Sequence, residues 1–203
     1  MAAPGVEFFF DYASPYAYMG SLKIEEAVNR HGGQLSWKPM VLGFVFQAIG
    51  FEAPMTQGKN PKSDYLLQDL QNLSEAYGAP YKPRTDFIIR SILALRATLC
   101  IPDGPERAKA VHGLFHGAWG EDLDLNQPEV VAGLLDKAGF EGAKLVERTQ
   151  EPEIKHQLKA NTDEAVQRGA FGAPTMFIDS GRMFWGHDRI DVLDHFLGQA
   201  AGA

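Results

Sequence analysis

Hydrophobic and polar positions follow different periods along the first part of the chain. A short apolar run comes first, then apolar residues at helical spacing, then an alternating segment. This pattern predicts a strand at 6–12, a helix at 15–30 that ends before His31-Gly32-Gly33, and a second strand at 35–41. The chain therefore opens with a β-α-β unit.

The middle of the chain predicts mainly helices. Residues 42–61 are rich in glycine, proline and aromatic residues without a regular period, which indicates a loop. Apolar residues then return at helical spacing in 62–77. Proline or glycine residues bound four further helical segments, at 86–99, 105–119, 128–138 and 151–168. We expect these helices to form an insertion that packs as a lid.

The last part of the chain returns to strands. Segments 175–179 and 182–185 predict two strands joined by a tight turn, and a final helix is expected from Asp188. The order β-α-β, helices, β-β-α predicts an α/β protein with a thioredoxin fold and an inserted all-helical domain. The thioredoxin-like domain would be discontinuous, formed by 1–41 and 170–203, with the helical insertion at 42–169.

Composition and charge narrow the class of protein. A chain of 203 residues with 45% hydrophobic content can bury one core, or one core with a sizeable insertion. A net charge of −7 disfavours nucleic acids and anionic membranes as partners, and favours small molecules. The N-terminal segment shows no secretory signal pattern, and we expect no membrane span. The single cysteine, Cys100, excludes an intramolecular disulfide and indicates a reducing cytoplasm.

The junction between the first strand and the first helix carries the most specific chemistry. Ser14 falls at the N-cap and Pro15 at the first helical position. Unpaired backbone amides and the positive end of the helix dipole therefore face any ligand that docks there, which suits an anion such as a thiolate. The alternative interpretation is that Ser14 only caps its own helix.

A second motif lies far downstream, at Phe171-Gly172-Ala173-Pro174-Thr175. It predicts a turn immediately before a strand of apolar and β-branched residues. In the thioredoxin architecture a cis proline at this point lies opposite the first helix N-terminus. Only a peptide bond before proline adopts the cis form at low cost, so Pro174 suits that place.

Together the two motifs resemble those of the 2-hydroxychromene-2-carboxylate isomerases and the related kappa-class glutathione transferases. Segments 93–97, 115–125 and 184–190 extend the resemblance over nearly the whole chain, in matching order and spacing. The positions Ser14-Pro15-Tyr16-Ala17 hold no cysteine, which excludes thiol–disulfide exchange by the chain's own sulfur. The resemblance therefore implies glutathione as cofactor, with Ser14 as the catalytic hydrogen-bond donor to a thiol supplied from outside.

The resemblance also implies a reaction in aromatic-hydrocarbon breakdown. Family members interconvert 2-hydroxychromene-2-carboxylate and trans-o-hydroxybenzylidenepyruvate. Reversible addition of the glutathione thiolate turns a conjugated double bond into a single bond that can rotate, and elimination then restores it. Glutathione would be a cofactor that the reaction does not consume.

Further glutathione contacts follow from the resemblance residue by residue. The backbone of Ala173 would pair with the cysteinyl part of glutathione, His187 and Asp188 would meet the γ-glutamyl end, and Lys62 the glycyl carboxylate. Asp188 also suits the N-cap of the last helix, and Lys62 also suits a solvated surface position. The residues that adjoin the two motifs complete the expected cofactor-binding set: Ser14, Pro15, Tyr16, Pro174 and Trp185.

Two positions depart from the family pattern. Phe51 stands where the family has an asparagine, so one polar contact is missing, and Arg90 replaces an amide. Arg90 could bind a substrate carboxylate through two hydrogen bonds, or pair with an acid on the surface. His112 and His116 are four residues apart on one predicted helix, but without a third ligand nearby they predict no metal site.

Three functions remain open on the sequence. The first is a glutathione-dependent isomerase acting on a small aromatic substrate, and the second is a kappa-like transferase that releases the glutathione adduct. The third is a non-catalytic thioredoxin-fold module that binds a peptide or thiol beside Pro174. The sequence leaves the oligomeric state open, with a homodimer among the options.

Overall fold

The computed structural model describes residues 3–51, 60–83 and 90–202. Within these ranges a four-stranded sheet has the order β2-β1-β3-β4. β1 runs parallel to β2 and antiparallel to β3, and β4 is antiparallel to β3. The strands are β1 (Gly5–Phe10), β2 (Gln34–Pro39), β3 (Thr175–Ile178) and β4 (Met183–Trp185).

The helices occupy the positions that the thioredoxin fold with a helical insertion requires. One helix joins β1 to β2, a series of helices lies between β2 and β3, and one helix follows β4. A π-helical turn (His116–Gly120) follows the fifth helix, and a 3₁₀ turn (His187–Arg189) precedes the last. The helices are α1 (Pro15–Arg30), α2 (Leu42–Ala48), α3 (Pro61–Tyr77), α4 (Ile92–Leu99), α5 (Pro105–Phe115), α6 (Pro128–Lys137), α7 (Gly142–Arg148), α8 (Pro152–Gln167) and α9 (Ile190–Gly202). The predicted fold class is confirmed.

Both faces of the sheet are covered by helices. The phenylalanines of β1 point alternately to one face and to the other, so β1 contributes to both cores. Phe8 points into the larger core, where its ring lies 5.2 Å from that of Trp37. Phe9 points to the opposite face and lies 5.6 Å from Phe177. Helices α1, α5 and α9 contribute to the larger core, and α2 and α8 to the smaller. β1 is thus held from both sides, and the loop that follows it has a fixed position.

Helix α1 begins and ends where the sequence predicts. Ser14 is its N-cap, Pro15 is its first residue, and Gly32 follows its end in the left-handed region at φ 62°. Its buried side includes Met19, Ile24 and Val28, which recur at helical spacing.

Two helices were not predicted. α2 lies in the stretch for which the sequence predicts a loop. The helix forms because the carboxylate of Asp11 binds the Leu42 amide at 2.8 Å and because Leu42 and Val45 both enter the smaller core. α7 packs closely on α6, since a β-carbon on Gly142 would lie 2.0 Å from the carbonyl oxygen of Ala132. Tertiary contacts of this kind override local propensity.

Other boundaries differ by a few residues. The helix predicted at 105–119 ends as an α-helix at Phe115 and continues as the π-helical turn. Of the helix predicted at 86–99, α4 forms the part from Ile92, and residues 84–89 lie outside the described residues. The predicted loop at 42–61 falls partly on residues 52–59, which also lie outside them.

The insertion shares a core with the sheet. The larger core joins Phe8 of β1 to Leu114 of α5 and Leu135 of α6. The domain limits at 41/42 and 169/170, and the role of the insertion as a lid, remain predictions. Across the three ranges that the structure describes, no helix is both long enough and apolar enough to cross a membrane.

Candidate active site at the N-terminus of the first helix

Ser14 lies at the point where the two sequence motifs meet. Its hydroxyl oxygen accepts a hydrogen bond from the Ala17 amide at 3.1 Å, which caps α1 as predicted. The same hydroxyl donates to the carbonyl oxygen of Ala173 at 2.9 Å, across 159 residues of sequence. Ser14 is buried, with 5% of its surface exposed.

The turn around Pro174 packs directly against α1. The peptide bond between Ala173 and Pro174 is cis. A β-carbon on Gly20 would lie 3.1 Å from Pro174 Cγ, so glycine at this position lets the helix and the proline approach. The carbonyl oxygen of Pro174 accepts from the Gly186 amide at 3.0 Å, which joins the turn to the segment after β4.

The first turn of α1 leaves one backbone donor for a ligand. Pro15 has no amide hydrogen, and the Ala17 amide binds Ser14. The Tyr16 amide has no acceptor among the described residues. This amide and the Ser14 hydroxyl are hydrogen-bond donors, and they lie at the positive end of the helix dipole. Together these features suit an anion.

Tyr16 joins three elements around this turn. Its hydroxyl donates to Asp69 of α3 at 2.7 Å, and its ring stacks on His187 with the ring centres 5.2 Å apart. Burial, followed by the contact with Asp69, raises the pKa of Tyr16, so the phenol stays protonated. Burial lowers the pKa of His187, whose Nδ1 lies 3.5 Å from the Tyr77 hydroxyl. His187 therefore faces the site as a neutral ring at neutral pH.

The sequence analysis missed Asp69 and Tyr77 as site residues. Both were treated as part of the helix pattern of 62–77, where Asp69 is a polar position and Tyr77 an apolar one. The sequence does contain a signal for Asp69. It lies seven residues, or two turns, after the predicted contact residue Lys62, so the two side chains share a face of α3.

The other predicted contacts lie at the surface. Lys62 is exposed on the first turn of α3, roughly 10 Å along the helix from Asp69. Trp185 is 48% exposed, with its ring 4.7 Å from that of Phe171. Arg90 is exposed and directly precedes Ser91, which is buried.

Asp188 is also exposed, and it pairs with Arg189 at 3.1 Å. The prediction that Asp188 caps the last helix is wrong. The chain enters α9 through the 3₁₀ turn, whose N-cap is Gly186 and whose first residue is His187. Asp188 lies inside that turn, and its exposed carboxylate is paired with Arg189.

Asp11 is a third residue that the sequence analysis missed. Its carboxylate is 2% exposed and accepts from the amides of Ala13 at 2.9 Å and Leu42 at 2.8 Å, and from the Ser91 side chain. Burial raises the pKa of Asp11, and these hydrogen bonds oppose the rise. An acid directly after an apolar strand was the available signal. Asp11 ties the loop before Ser14 to the beginnings of α2 and α4.

Aromatic residues form the wall beneath this loop. The indole nitrogen of Trp119 donates to the carbonyl oxygen of Tyr12 at 2.8 Å. The ring of Tyr81 stacks on Trp119 at 6.2 Å, and Tyr18 donates to the carbonyl oxygen of Pro80 at 2.9 Å. Trp119 and Tyr18 are buried, so they support the site from behind.

The remaining sequence candidates lie elsewhere. His112 pairs with Glu25, and His116 with Glu121 at 3.4 Å. Among the described residues, no group of three potential ligands could hold a metal ion. Phe51, the departure from the family asparagine, is 45% exposed and packs its ring on Phe46 at 5.1 Å.

Cys100 is buried at the end of α4, where its Sγ lies 3.4 Å from the carbonyl oxygen of Arg96. Burial raises the pKa of its thiol to about 11.

A cavity of about 1010 Å³ opens at the other end of the sheet, beside Gly5, Gln34 and Asp179. It belongs to a different part of the molecule from Ser14.

Comparisons with known proteins agree with this geometry. A 2-hydroxychromene-2-carboxylate isomerase of Sphingobium xenophagum is 28% identical over 195 residues, covering 95% of this chain and 97% of the relative. Human glutathione S-transferase kappa 1 is 29% identical over 208 residues, covering 96% and 91%. A solved structure of a 2-hydroxychromene-2-carboxylate isomerase superposes with a TM-score of 0.87 at 26% identity, covering 97% of this chain and 95% of that one.

The resemblance seen in the sequence is thereby confirmed over the full length of these relatives. The family model described as a DSBA-like thioredoxin domain matches residues 5–198. The match includes the Ser14 turn, the cis proline and the whole helical insertion. The chain therefore belongs to the DSBA-like thioredoxin domain family, and its sequence and fold are similar to those of the 2-hydroxychromene-2-carboxylate isomerases and the kappa-class glutathione transferases.

Proposed function

We propose that this protein is a glutathione-dependent isomerase that interconverts 2-hydroxychromene-2-carboxylate and trans-o-hydroxybenzylidenepyruvate, or a close aromatic analogue. One observation carries the proposal. A serine hydroxyl, and not a cysteine thiol, caps α1 and lies 2.9 Å from the carbonyl oxygen of Ala173. The site therefore has the donors for a thiolate and lacks a thiol of its own.

The residues present fit glutathione. When bound, glutathione supplies a thiolate that adds reversibly to the conjugated double bond of the substrate. The Tyr16 amide and the Ser14 hydroxyl provide the donors for that anion at the positive end of α1. Lys62 would bind the glycyl carboxylate, and Asp188 the γ-glutamyl ammonium group. Both side chains are exposed and carry the charge that each partner requires.

The remaining cofactor contacts would be made by backbone and ring atoms. The backbone of Ala173 would bind the cysteinyl part, with Pro15 and Pro174 shaping the turn on either side. Tyr16, Trp185 and the neutral ring of His187 would pack on the tripeptide. Arg90 would bind the carboxylate of the aromatic substrate, for which its exposed guanidinium is suited.

The hydroxyl of Ser14 must change partners when the thiolate binds. In the free protein its proton is donated to Ala173. That hydrogen bond contributes about 0.5–1.5 kcal/mol, whereas a hydrogen bond to a charged group contributes about 1.5–3 kcal/mol. The exchange therefore favours the ionised thiol, and the helix dipole adds about 0.3–1 kcal/mol in the same direction.

A kappa-like transferase is the second candidate, favoured by the 29% identity to human glutathione S-transferase kappa 1. The same thiolate site would serve it. The two functions differ in whether sulfur stays attached to the released product. We further propose the cytoplasm as the compartment, since the site depends on reduced glutathione and the chain's one cysteine forms no intramolecular disulfide.

The test combines a binding and a turnover measurement. Calorimetric titration should show glutathione binding, and absorbance should follow conversion of hydroxychromene and benzylidenepyruvate substrates with and without glutathione. Glutathione-dependent conversion with no loss of free glutathione supports the isomerase. Release of a sulfur conjugate, detected by mass spectrometry, would instead support the transferase. Binding without any turnover would reject both and favour the non-catalytic module.

A further inference from the structure

Tyr81 is fixed against the loop that precedes Ser14. Its ring stacks on Trp119 at an interplanar angle of 20°, and Trp119 itself donates to the Tyr12 carbonyl oxygen. The next amide along the chain, that of Lys82, donates to the Trp119 carbonyl oxygen at 2.7 Å. Backbone and ring contacts therefore both hold Tyr81 in place beside the site.

Helix α1 approaches the same segment from the other side. Tyr18, in the first turns of α1, donates to the carbonyl oxygen of Pro80, the residue before Tyr81. The Tyr81 phenol also lies close enough to the Tyr16 hydroxyl to contribute to the raised pKa of Tyr16. The residues on either side of Tyr81 are thus held by α1 and by Trp119.

This hydroxyl is buried without a hydrogen-bond partner. Tyr81 is 8% exposed, and its oxygen finds no donor or acceptor in the described part of the chain. Other buried tyrosines are satisfied: Tyr12 meets Thr98 at 2.6 Å, and Tyr18 meets Pro80. Buried polar groups in native proteins nearly always have a partner, so an orphan beside an anion site points to a ligand that supplies one.

We propose that the Tyr81 hydroxyl donates a hydrogen bond to the ketone oxygen of an aromatic 2-oxo acid substrate bound beside Ser14. This inference rests on the proposed function. During reversible addition across a double bond conjugated to a ketone, the π electron pair moves onto the ketone oxygen and returns when the addition reverses. A donor placed at that oxygen stabilises the charge where it develops.

Tyr81 acts as a donor and keeps its proton throughout. Burial raises the pKa of its phenol to about 12, so the group is neutral at physiological pH. Its role therefore complements that of Ser14. The serine hydroxyl donates a hydrogen bond to the sulfur, and the phenol donates one to the ketone oxygen at the other end of the conjugated system.

The test compares Tyr81→Phe with Tyr12→Phe as a matched control. Each variant removes one buried phenol oxygen and keeps the ring, but Tyr12 already has a partner in Thr98. Three quantities are measured: the Tm without ligand, the Kd of glutathione, and the Kd of 4-(2-hydroxyphenyl)-2-oxobutanoate. That compound is a saturated 2-oxo acid with no double bond to react. Steady-state kcat/KM with trans-o-hydroxybenzylidenepyruvate is measured as well.

For Tyr81→Phe we expect an unchanged or higher Tm, because an unsatisfied hydroxyl is removed. The 2-oxo acid should bind about 2- to 10-fold more weakly, glutathione should bind as before, and kcat/KM should fall about 10- to 100-fold. Tyr12→Phe should show the reverse pattern, with a lower Tm and an unchanged Kd for the 2-oxo acid.

Unchanged binding of the 2-oxo acid by Tyr81→Phe would overturn the proposal, and so would a lowered Tm equal to that of Tyr12→Phe. If the unaltered protein binds the 2-oxo acid but converts no substrate, the proposed isomerase function fails. The titration of the two variants would still decide the role of Tyr81.

Discussion

Replacing Ser14 by alanine removes the hydroxyl that makes both contacts at the helix N-terminus. The donor to Ala173 and the acceptor for the Ala17 amide are lost together, while the backbone of the turn remains. Loss of the cap costs about 1 kcal/mol of folding free energy. Because typical domains unfold with about 5–15 kcal/mol, the variant should still fold.

The effect on the bound thiol follows from the exchange of partners. A hydrogen bond to a charged sulfur contributes about 1.5–3 kcal/mol, and the bond to Ala173 that it replaces about 0.5–1.5 kcal/mol. The net contribution to the thiolate is therefore about 1–2 kcal/mol, which corresponds to roughly a 5- to 30-fold change in ionisation. Without the hydroxyl, the pKa of the bound glutathione thiol should rise by about one unit.

Ultraviolet absorbance of the thiolate, followed against pH with glutathione bound, measures this pKa directly. Ser21→Ala is the matched control, since Ser21 also lies in α1 and its hydroxyl donates to the Tyr18 carbonyl oxygen, away from the ligand donors. Turnover of Ser14→Ala at neutral pH should fall at least as far as the thiolate fraction. A thiol pKa and a kcat/KM equal to those of Ser21→Ala would refute the role given to Ser14.

Three further changes test the surroundings of the site. Asp11→Asn should lower the free energy of unfolding in urea by about 1–3 kcal/mol, because an amide group cannot accept from both backbone donors, and an unchanged denaturation midpoint would contradict this. Since burial lowers the pKa of His187 in the folded state, its contribution to stability is complete above about pH 6.5 and is lost as the pH falls below that value. His187→Phe should accordingly show a smaller drop in Tm between pH 7 and pH 5 than the unaltered protein, and equal drops would count against the assignment. Gly172→Ala would place a β-carbon 2.3 Å from Trp185 Nε1, so it should alter tryptophan fluorescence, whereas Gly133→Ala, with open space around it, should not.

Local signals predicted α1 well because its boundary residues act locally. Ser14 and Pro15 specify the beginning of the helix through short-range hydrogen bonding and a fixed φ, and Gly32 specifies its end. The same holds for the turn at Pro174. The meeting of these two segments could be predicted only through the family resemblance, since a contact across 159 residues has no local signal.

The parts that sequence reasoning missed depend on distant partners. No local signal near Leu42 predicts α2, because the first amide of this helix binds the carboxylate of Asp11, which is distant in the sequence. The position of Asp69 against Tyr16 depends on how α3 packs on α1, which periodicity alone leaves open. The prediction that Asp188 caps the last helix was wrong because the chain makes a 3₁₀ turn first. Helix type at a boundary is decided by neighbouring packing as well as by the capping residue.

The placement of Cys100 has a consequence for chemical durability. Conjugated ketones of the proposed substrate class alkylate accessible thiolates, and an enzyme that concentrates them risks modifying itself. The one sulfhydryl in this chain is enclosed at the end of α4 and remains protonated far above physiological pH. With the proposed function, the protein would expose an electrophile to glutathione while its own sulfur stays inert, and repeated turnover need not inactivate it.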